Sequence, residues 1–277
     1  MNEMILPSVL TIAGSDSGGG AGIQADLRTF SSFNVYGCSV ITAVTSQNPE
    51  AVRRVDVLSE ETVRTQFETV LELFPVRFAK TGMLGDAKII KCVAQLAEKY
   101  HLTLIVDPVM VSTSGAQLLE KPAVSAMREL LFPRALWITP NIPEAELLCG
   151  EKLSSAADLA AAAVDLYEKF KCNVLLKSGH AVFSDRVTDV VCHEGKTFSL
   201  SSPAVEIKGN SAHGTGCTLS AAITALLASQ KSWQDSLKEA KAFVYGSLVE
   251  IRPLSETLFQ MYPPRNQYLE QVTFEEL

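Results

Sequence analysis

Apolar residues along the chain group in two alternating ways. Short, nearly unbroken apolar runs occur at 8–14 (SVLTIAG), 38–46 (CSVITAVTS), 76–80 (VRFAK), 102–107 (LTLIVD), 135–139 (ALWIT) and 173–177 (NVLLK). Such runs fit strands covered on both faces. Between them, apolar residues recur at three- and four-residue spacing, the period of a helix with one buried face. The segment 20–33 carries Ile23, Leu27 and Phe30, and 59–74 carries Val63, Phe67, Val70 and Leu71. The same spacing predicts helices over 86–100, 122–131, 142–150 and 156–170, the third closed by Gly150. Residues 187–202 read as a hairpin turning at Glu194-Gly195. Two further helices are expected over 215–229 and 233–251, and no regular element is assigned beyond Pro253.

Strand–helix alternation with continuous apolar strands predicts the α/β class: a mostly parallel, Rossmann-like central sheet with helices on both faces. No linker or repeat divides the chain, so residues 1–277 are expected to form a single domain. Open sheets of this kind bind ligands beyond the carboxyl ends of their strands. The chemically loaded segments do follow strands: GSDSGGGAG (14–22), SQN (46–48), TGML (81–84), DPVM (107–110), TPNIPEAE (139–146) and KSGH (177–180).

The formal net charge of −7 argues against a nucleic-acid or anionic-membrane surface, both of which need basic stripes. It leaves room for a small phosphorylated ligand. The six cysteines form no C-x-x-C pair and no zinc spacing with histidine, so reduced, buried thiols are expected for five of them. No run reaches the ~18 apolar residues of a membrane span, and no signal peptide is read, so a cytoplasmic location is expected.

Three segments carry candidate chemistry. The glycine-rich 14–22 lacks the Gly-Lys-Ser/Thr of a phosphate-binding Walker loop. It is either a tight strand-to-helix turn or a backbone brought close to a ligand, with Asp26 one turn into the helix as an acceptor. Asn141 and Glu144 are either a helix cap with an acid facing the dipole or a hard-oxygen pair for Mg²⁺. The strongest signal is HGTGC, residues 213–217. Gly214 and Gly216 free the backbone around Thr215, and the amides of 215–217 would form an anion site at a helix start. A helix start there would lower the pKa of Cys217; the alternative is a structural buried cysteine. His213 reads as a neighbour of the cap. His101 and His193 read as surface or hairpin residues, and His180 carries no metal spacing.

Taken together and in order, TIAGSDSGGGAGIQADL, YGCSVITAVTSQN, TGML, DPVM, ITPNIPEAE and HGTGCTLSAAI resemble the hydroxymethylpyrimidine/phosphomethylpyrimidine kinases of thiamine biosynthesis. The resemblance spans roughly residues 8–250. It implies a ribokinase-like three-layer α/β/α sandwich and ATP- and Mg²⁺-dependent phosphorylation of a small pyrimidine alcohol, then of its monophosphate. By motif, Cys217 takes the place of the general base, and Gly214, Thr215 and Gly216 that of the anion hole. Gln47, Asp26, Gly14 and Met83 would line the pyrimidine pocket. Lys177 and Asn141 would meet the nucleotide, and Glu144 with Asp107 the metal. A homodimer is expected by analogy. Three departures stand out: Ser178 in place of glycine, Thr113 in place of lysine, and a C-terminal segment unlike the family's usual ending. Rival readings are a pyridoxal kinase of the same superfamily, a non-catalytic pyrimidine-binding protein and, prompted by GGGAG, an oxidoreductase, which the missing dinucleotide spacing disfavours.

Overall fold

A computed structural model describes residues 5–110, 119–179, 185–207 and 212–277. Six central strands are parallel. They are β1 (Ser8–Asp16), β2 (Tyr36–Gln47), β4 (Phe78–Thr81), β5 (Thr103–Val106), β6 (Ala135–Ile138) and β7 (Asn173–Leu176). Antiparallel strands extend both edges. β3 (Val52–Val57) pairs with β2, while β8 (Arg186–His193), β9 (Lys196–Pro203) and β12 (Thr273–Glu276) continue outward from β7. The order across the sheet is β12-β9-β8-β7-β6-β5-β4-β1-β2-β3.

The unbroken apolar runs follow from burial on two sides. Leu104 and Val106 of β5 face one core and Ile105 the other; Val174 and Leu176 of β7 face the first, and Leu175 the second. The first core is covered by α2 (Glu60–Leu71), α3 (Ala87–Lys99), α4 (Lys121–Ala126), α5 (Ile142–Cys149) and α6 (Ala156–Phe170). The second face is covered by α1 (Gly22–Ser32), α7 (Thr215–Ala228) and α8 (Trp233–Val249). Polar caps set the helix starts. Ser59 accepts from the Thr62 amide, Asp86 from those of Lys88 and Ile89, and Ser155 forms a capping box with Asp158.

Three stretches depart from the sequence pattern. The helix expected over 122–131 is α-helical only to Ala126; a wider turn covers Met127–Leu131 and a tighter one Phe132–Arg134. Pro133 cannot continue an α-helix, and the altered turns keep Met127, Leu131 and Phe132 buried. β3 was not expected, because every residue of VRRVDV is exposed. Arg53, Arg54 and Asp56 give this edge strand the charge that discourages further pairing. Past α8, a two-stranded hairpin, β10 (Arg252–Pro253) with β11 (Phe259–Gln260), turns the chain back before β12 joins the sheet. Among the described residues, no helix is long and apolar enough to cross a membrane.

The loop after β1 and the turn before α7 meet at the carboxyl ends of the strands. Gly214 has φ +87°, and a Cβ there would lie 1.9 Å from the carbonyl oxygen of Gly20. Gly150 has φ +85° and open space around it. Gly150→Ala should therefore cost only the ~1–2 kcal/mol of a left-handed alanine. Gly214→Ala should cost distinctly more, because the two loops must also separate. Urea denaturation of both variants measures the difference, and equal losses would refute the contact.

Candidate active site

The floor of this region is a charged pair without solvent access. Lys80 of β4 donates to both carboxylate oxygens of Asp26 on α1, at 3.0 and 2.9 Å, and Thr11 donates to the same carboxylate at 2.6 Å. Both side chains of the pair are 0% exposed. Burial works against the lysine's charge, but Asp26 outweighs it and holds the ammonium protonated. The expectation that Asp26 lines the ligand pocket is corrected here, because its acceptors are taken and none of its surface is open.

Cys217 lies above this pair in the first turn of α7, half-buried. Its thiol is pushed up to about 11, first by burial and further by Asp26 and Asp107; Lys80 and the Gly22 amide pull the other way. The helix start was expected to lower this pKa. Desolvation between two carboxylates outweighs it. The turn before the thiol is built as the glycines suggested, with one difference. The Thr215 amide donates to the Ala212 carbonyl at 3.2 Å, so Gly216 and Cys217 carry the amides without a backbone acceptor among the described residues.

A second lysine–aspartate pair stands beside the turn. Lys177, just past β7, donates to Asp107, just past β5, at 2.8 Å. Its Nζ lies 3.2 Å from where a Cβ on Gly216 would be. Thr139 also donates to Asp107, at 3.3 Å. Asn141 bridges to Lys177 and caps α5; its side chain accepts from the Glu144 amide, and the Glu144 carboxylate accepts from the amides of Asn141 (2.9 Å) and Met110 (3.1 Å). The helix-cap reading of Asn141 and Glu144 therefore describes their resting contacts. Glu144 is buried, and its pKa rises to about 7, through burial first and then through Asp107, against the pull of Lys177.

Among the described residues, no three His, Cys, Asp or Glu side chains converge to hold a metal unaided. Two buried carboxylates facing one lysine nonetheless leave negative charge in excess, and their hard oxygens suit Mg²⁺. That ion commonly binds one or two carboxylates and completes its shell with water and phosphate.

On the other side of the glycine loop, the Asp16 carboxylate accepts from the amides of Gly18 (2.8 Å), Gly20 (3.1 Å) and Ala21 (2.9 Å). Burial would raise its pKa, but the His213 contact and these amides lower it. His213 Nε2 is 3.0 Å from Asp16 Oδ2 and 3.1 Å from Gln47 Nε2. One ring nitrogen cannot both donate to the carboxylate and accept from the amide. When it is protonated, Gln47 must turn its carbonyl oxygen toward it. Gly14 and Met83 pack together nearby, with Met83 Cε 2.7 Å from where a Gly14 Cβ would be. Asp16, Lys80 and the bridging role of His213 escaped the sequence reading.

A cavity opens from Lys177, Thr215 and Gly216 between apolar walls that include Val187, Val205 and Leu219. Lys241 and Asp189 pair at 2.7 Å at its base, and Ser178 gives Asp189 both its amide (2.9 Å) and its hydroxyl (3.3 Å). Serine in place of glycine thus adds a bond to the loop. Thr113, His180 and residues 208–211 lie outside the described residues.

The sequence profile of the phosphomethylpyrimidine kinase family matches residues 16–257, from the loop aspartate through the anion turn to the tail hairpin. The chain belongs to this family. It is 46% identical over 244 residues to the hydroxymethylpyrimidine/phosphomethylpyrimidine kinase of Haemophilus influenzae, covering 87% of this chain and 90% of that one. Among solved structures, the pyridoxal kinase of Staphylococcus aureus bound to AMP-PCP and pyridoxal superposes with a TM-score of 0.88 at 33% identity, covering 99% of this chain and all of that one. The phosphomethylpyrimidine kinase of Clostridium difficile superposes with a TM-score of 0.76 at 38% identity, covering 86% and 97%. The ribokinase-like α/β/α sandwich expected from the resemblance is the architecture observed.

Two outcomes follow for this kinase fold. Lys80→Met alone should destabilise the protein by about 3–5 kcal/mol, because it strands a buried carboxylate, and Asp26→Leu in the same chain should restore much of that loss. Denaturant titration checks both; a double variant no better than the single would disprove the pairing energy. The raised pKa of Glu144 means that the folded state holds its proton between about pH 4.5 and about pH 7 while the unfolded chain releases it. Its contribution is full below the unfolded value and is lost as the pH rises through the folded one. The melting temperature of Glu144→Gln should therefore gain on the parent as pH rises from 5 to 8. A constant gap between the two curves would contradict the raised value.

Proposed function

We propose that the protein transfers the terminal phosphoryl group of ATP to the hydroxymethyl oxygen of 4-amino-5-hydroxymethyl-2-methylpyrimidine, and then to the resulting monophosphate, with residues 1–277 acting as one kinase unit. The observation that carries the reading is the position of the 214–217 turn. It lies between the Lys177–Asp107 pair on the cavity side and the Asp16–His213–Gln47 cluster on the other. A donor held at the first and an alcohol held at the second would meet over free helix-start amides, which suits a reaction governed by positioning and charge.

The residues divide as follows. Gly214, Thr215 and Gly216 shape the anion hole, its charge coming from the amides of Gly216 and Cys217 and the helix dipole. Lys177 meets the nucleotide phosphates, and Asn141 supports that side. Asp107 and Glu144 would hold Mg²⁺, which supplies charge neutralisation on the phosphates when bound. Gln47, Gly14 and Met83 border the pyrimidine, with His213 and Asp16 setting the orientation of the Gln47 amide. The alcohol oxygen bonds to the terminal phosphorus as the P–O bond to the departing ADP breaks, and the alcohol's proton passes to the thiolate form of Cys217 as the oxygen loses its basicity.

The match to the S. aureus pyridoxal kinase over nearly the whole chain, tail included, favours a second reading in which pyridoxal is also accepted. Turnover of the hydroxymethylpyrimidine, its monophosphate and pyridoxal, each with MgATP, separates the two. The first two should be the better substrates, and turnover of pyridoxal alone would overturn the first reading. Cys217→Ser should lower kcat by ~10²–10⁴-fold, with nucleotide affinity kept. A thiol held near 11 is protonated at neutral pH, so the parent's kcat should climb toward alkaline pH. Cys217→Asp should recover part of the rate and abolish that climb. A Ser variant as fast as the parent would remove Cys217 from the mechanism.

A further inference from the structure

The tail beyond α8 carries no legible pattern, yet the fold returns it to the glycine loop. In its hairpin Gln260 pairs with Arg252. Met261, the next residue, is buried. The Tyr262 ring has the Arg252 guanidinium 4.6 Å from its centroid and that of Arg28 at 5.4 Å, and Arg28 donates to the Gly19 carbonyl at 2.6 Å. The hairpin is thereby fixed to the loop by packing, by cation–π contacts and by a charged hydrogen bond.

Gln260 occupies a special place in this arrangement. A Cβ on Gly20 would lie 2.3 Å from Gln260 Nε2 and 2.6 Å from His213 Cδ2. The glutamine amide and the histidine thus crowd the same face of the loop, and His213 contacts both Gln47 and Asp16. Gln260 Oε1 is buried and has no hydrogen-bond partner among the described residues. Buried acceptors left unpaired are uncommon, and each calls for a reason. The amide that carries it shares a loop face with His213, the neighbour of Gln47 in the pocket assigned to the alcohol substrate.

From this juxtaposition we infer that Gln260 is a substrate-binding residue contributed by the tail. Its carbonyl oxygen accepts a hydrogen bond from an N–H or O–H donor on the ring of a six-membered heteroaromatic alcohol. The inference rests on the proposed function and names one further contact of that same pocket. An exocyclic amine on a pyrimidine and a ring hydroxyl on a pyridine offer the same chemistry, and the substrates used in the test tell them apart.

Two substitutions separate an acceptor from a packing group. Gln260→Met keeps the length and loses the oxygen; Gln260→Glu keeps an oxygen acceptor. Affinities for the hydroxymethylpyrimidine, for its analogue lacking the amine, and for pyridoxal are measured by calorimetry, alongside KM, kcat and the affinity for ATP. Gln260→Met should weaken binding of the donor-bearing substrate by about 5- to 50-fold, the range expected when the ligand's donor is buried without an acceptor. ATP affinity should be unchanged and kcat largely kept, and Gln260→Glu should recover most of the loss. Removing the ring amine should weaken binding to the parent and have little further effect on Gln260→Met if the amine is the donor. If instead only pyridoxal loses affinity, the ring hydroxyl is the donor. Unchanged affinity of Gln260→Met for every substrate overturns the inference, as does an equal loss in the Met and Glu variants accompanied by weaker ATP binding. A parent that binds and phosphorylates none of the substrates overturns the proposed function and this inference with it; an active parent with an unaffected Met variant overturns this inference alone.

Discussion

A lysine and an aspartate with no access to solvent tie the first helix to the middle of the sheet. The Lys80–Asp26 contact is costly to bury and strongly destabilising to break, and it stands at the base of the region where β1, β4, α1 and α7 converge. Because both partners are shut away, the pair cannot recruit a ligand directly. It fixes the position of α1, and with it the glycine loop, and it sets two opposed charges under Cys217, Lys80 pulling the thiol's pKa down and Asp26 pushing it up. The shape of the loop, the reach of the thiol and the approach of Gly214 to Gly20 all depend on that anchoring.

The pattern recurs along the strand ends. Lys177 with Asp107 flanks the anion turn, and Lys241 with Asp189 closes the base of the adjoining cavity. Each joins separate elements of the sheet or its covering helices, and each is largely or wholly buried. Such pairs hold charge in place without mobile water, which favours a site where negative charge must be met by groups already oriented. Glu144 is the uncompensated member of the set. Its reluctance to ionise without a cation beside it distinguishes that side from the side around Asp16, whose carboxylate is already satisfied by three amides and a histidine.

The layered architecture was legible because its strands are covered on both faces, so apolar runs such as LTLIV and NVLL have no other stable placement. β3 left no such trace, since all six of its residues face solvent, and β12 is short, acidic and largely exposed. In the site, Cys217, the glycine turn, Lys177, Asp107, Asn141 and Glu144 could be located because each directly follows a strand or opens a helix. The Asp16–His213–Gln47 cluster joins residues 166 and 197 positions apart, a distance at which no local pattern survives. Asp26 was misread for a related reason. Its place one turn into α1 is visible in the sequence, whereas its burial is decided by Lys80, which arrives from a different strand.

The contact between Gly20 and Gly214 also has a temporal side. A ribosome adds ~5–20 residues each second, so the glycine loop is made roughly 190 residues before the turn it packs against and waits some tens of seconds for it. Lys80 follows about 60 residues behind the loop, so β1, α1 and β4 can bring it to Asp26 within that interval, while the loop's inner face remains open until α7 arrives. Assembly of the pocket is thus a late step in the synthesis of each molecule, and it waits on the last quarter of the chain.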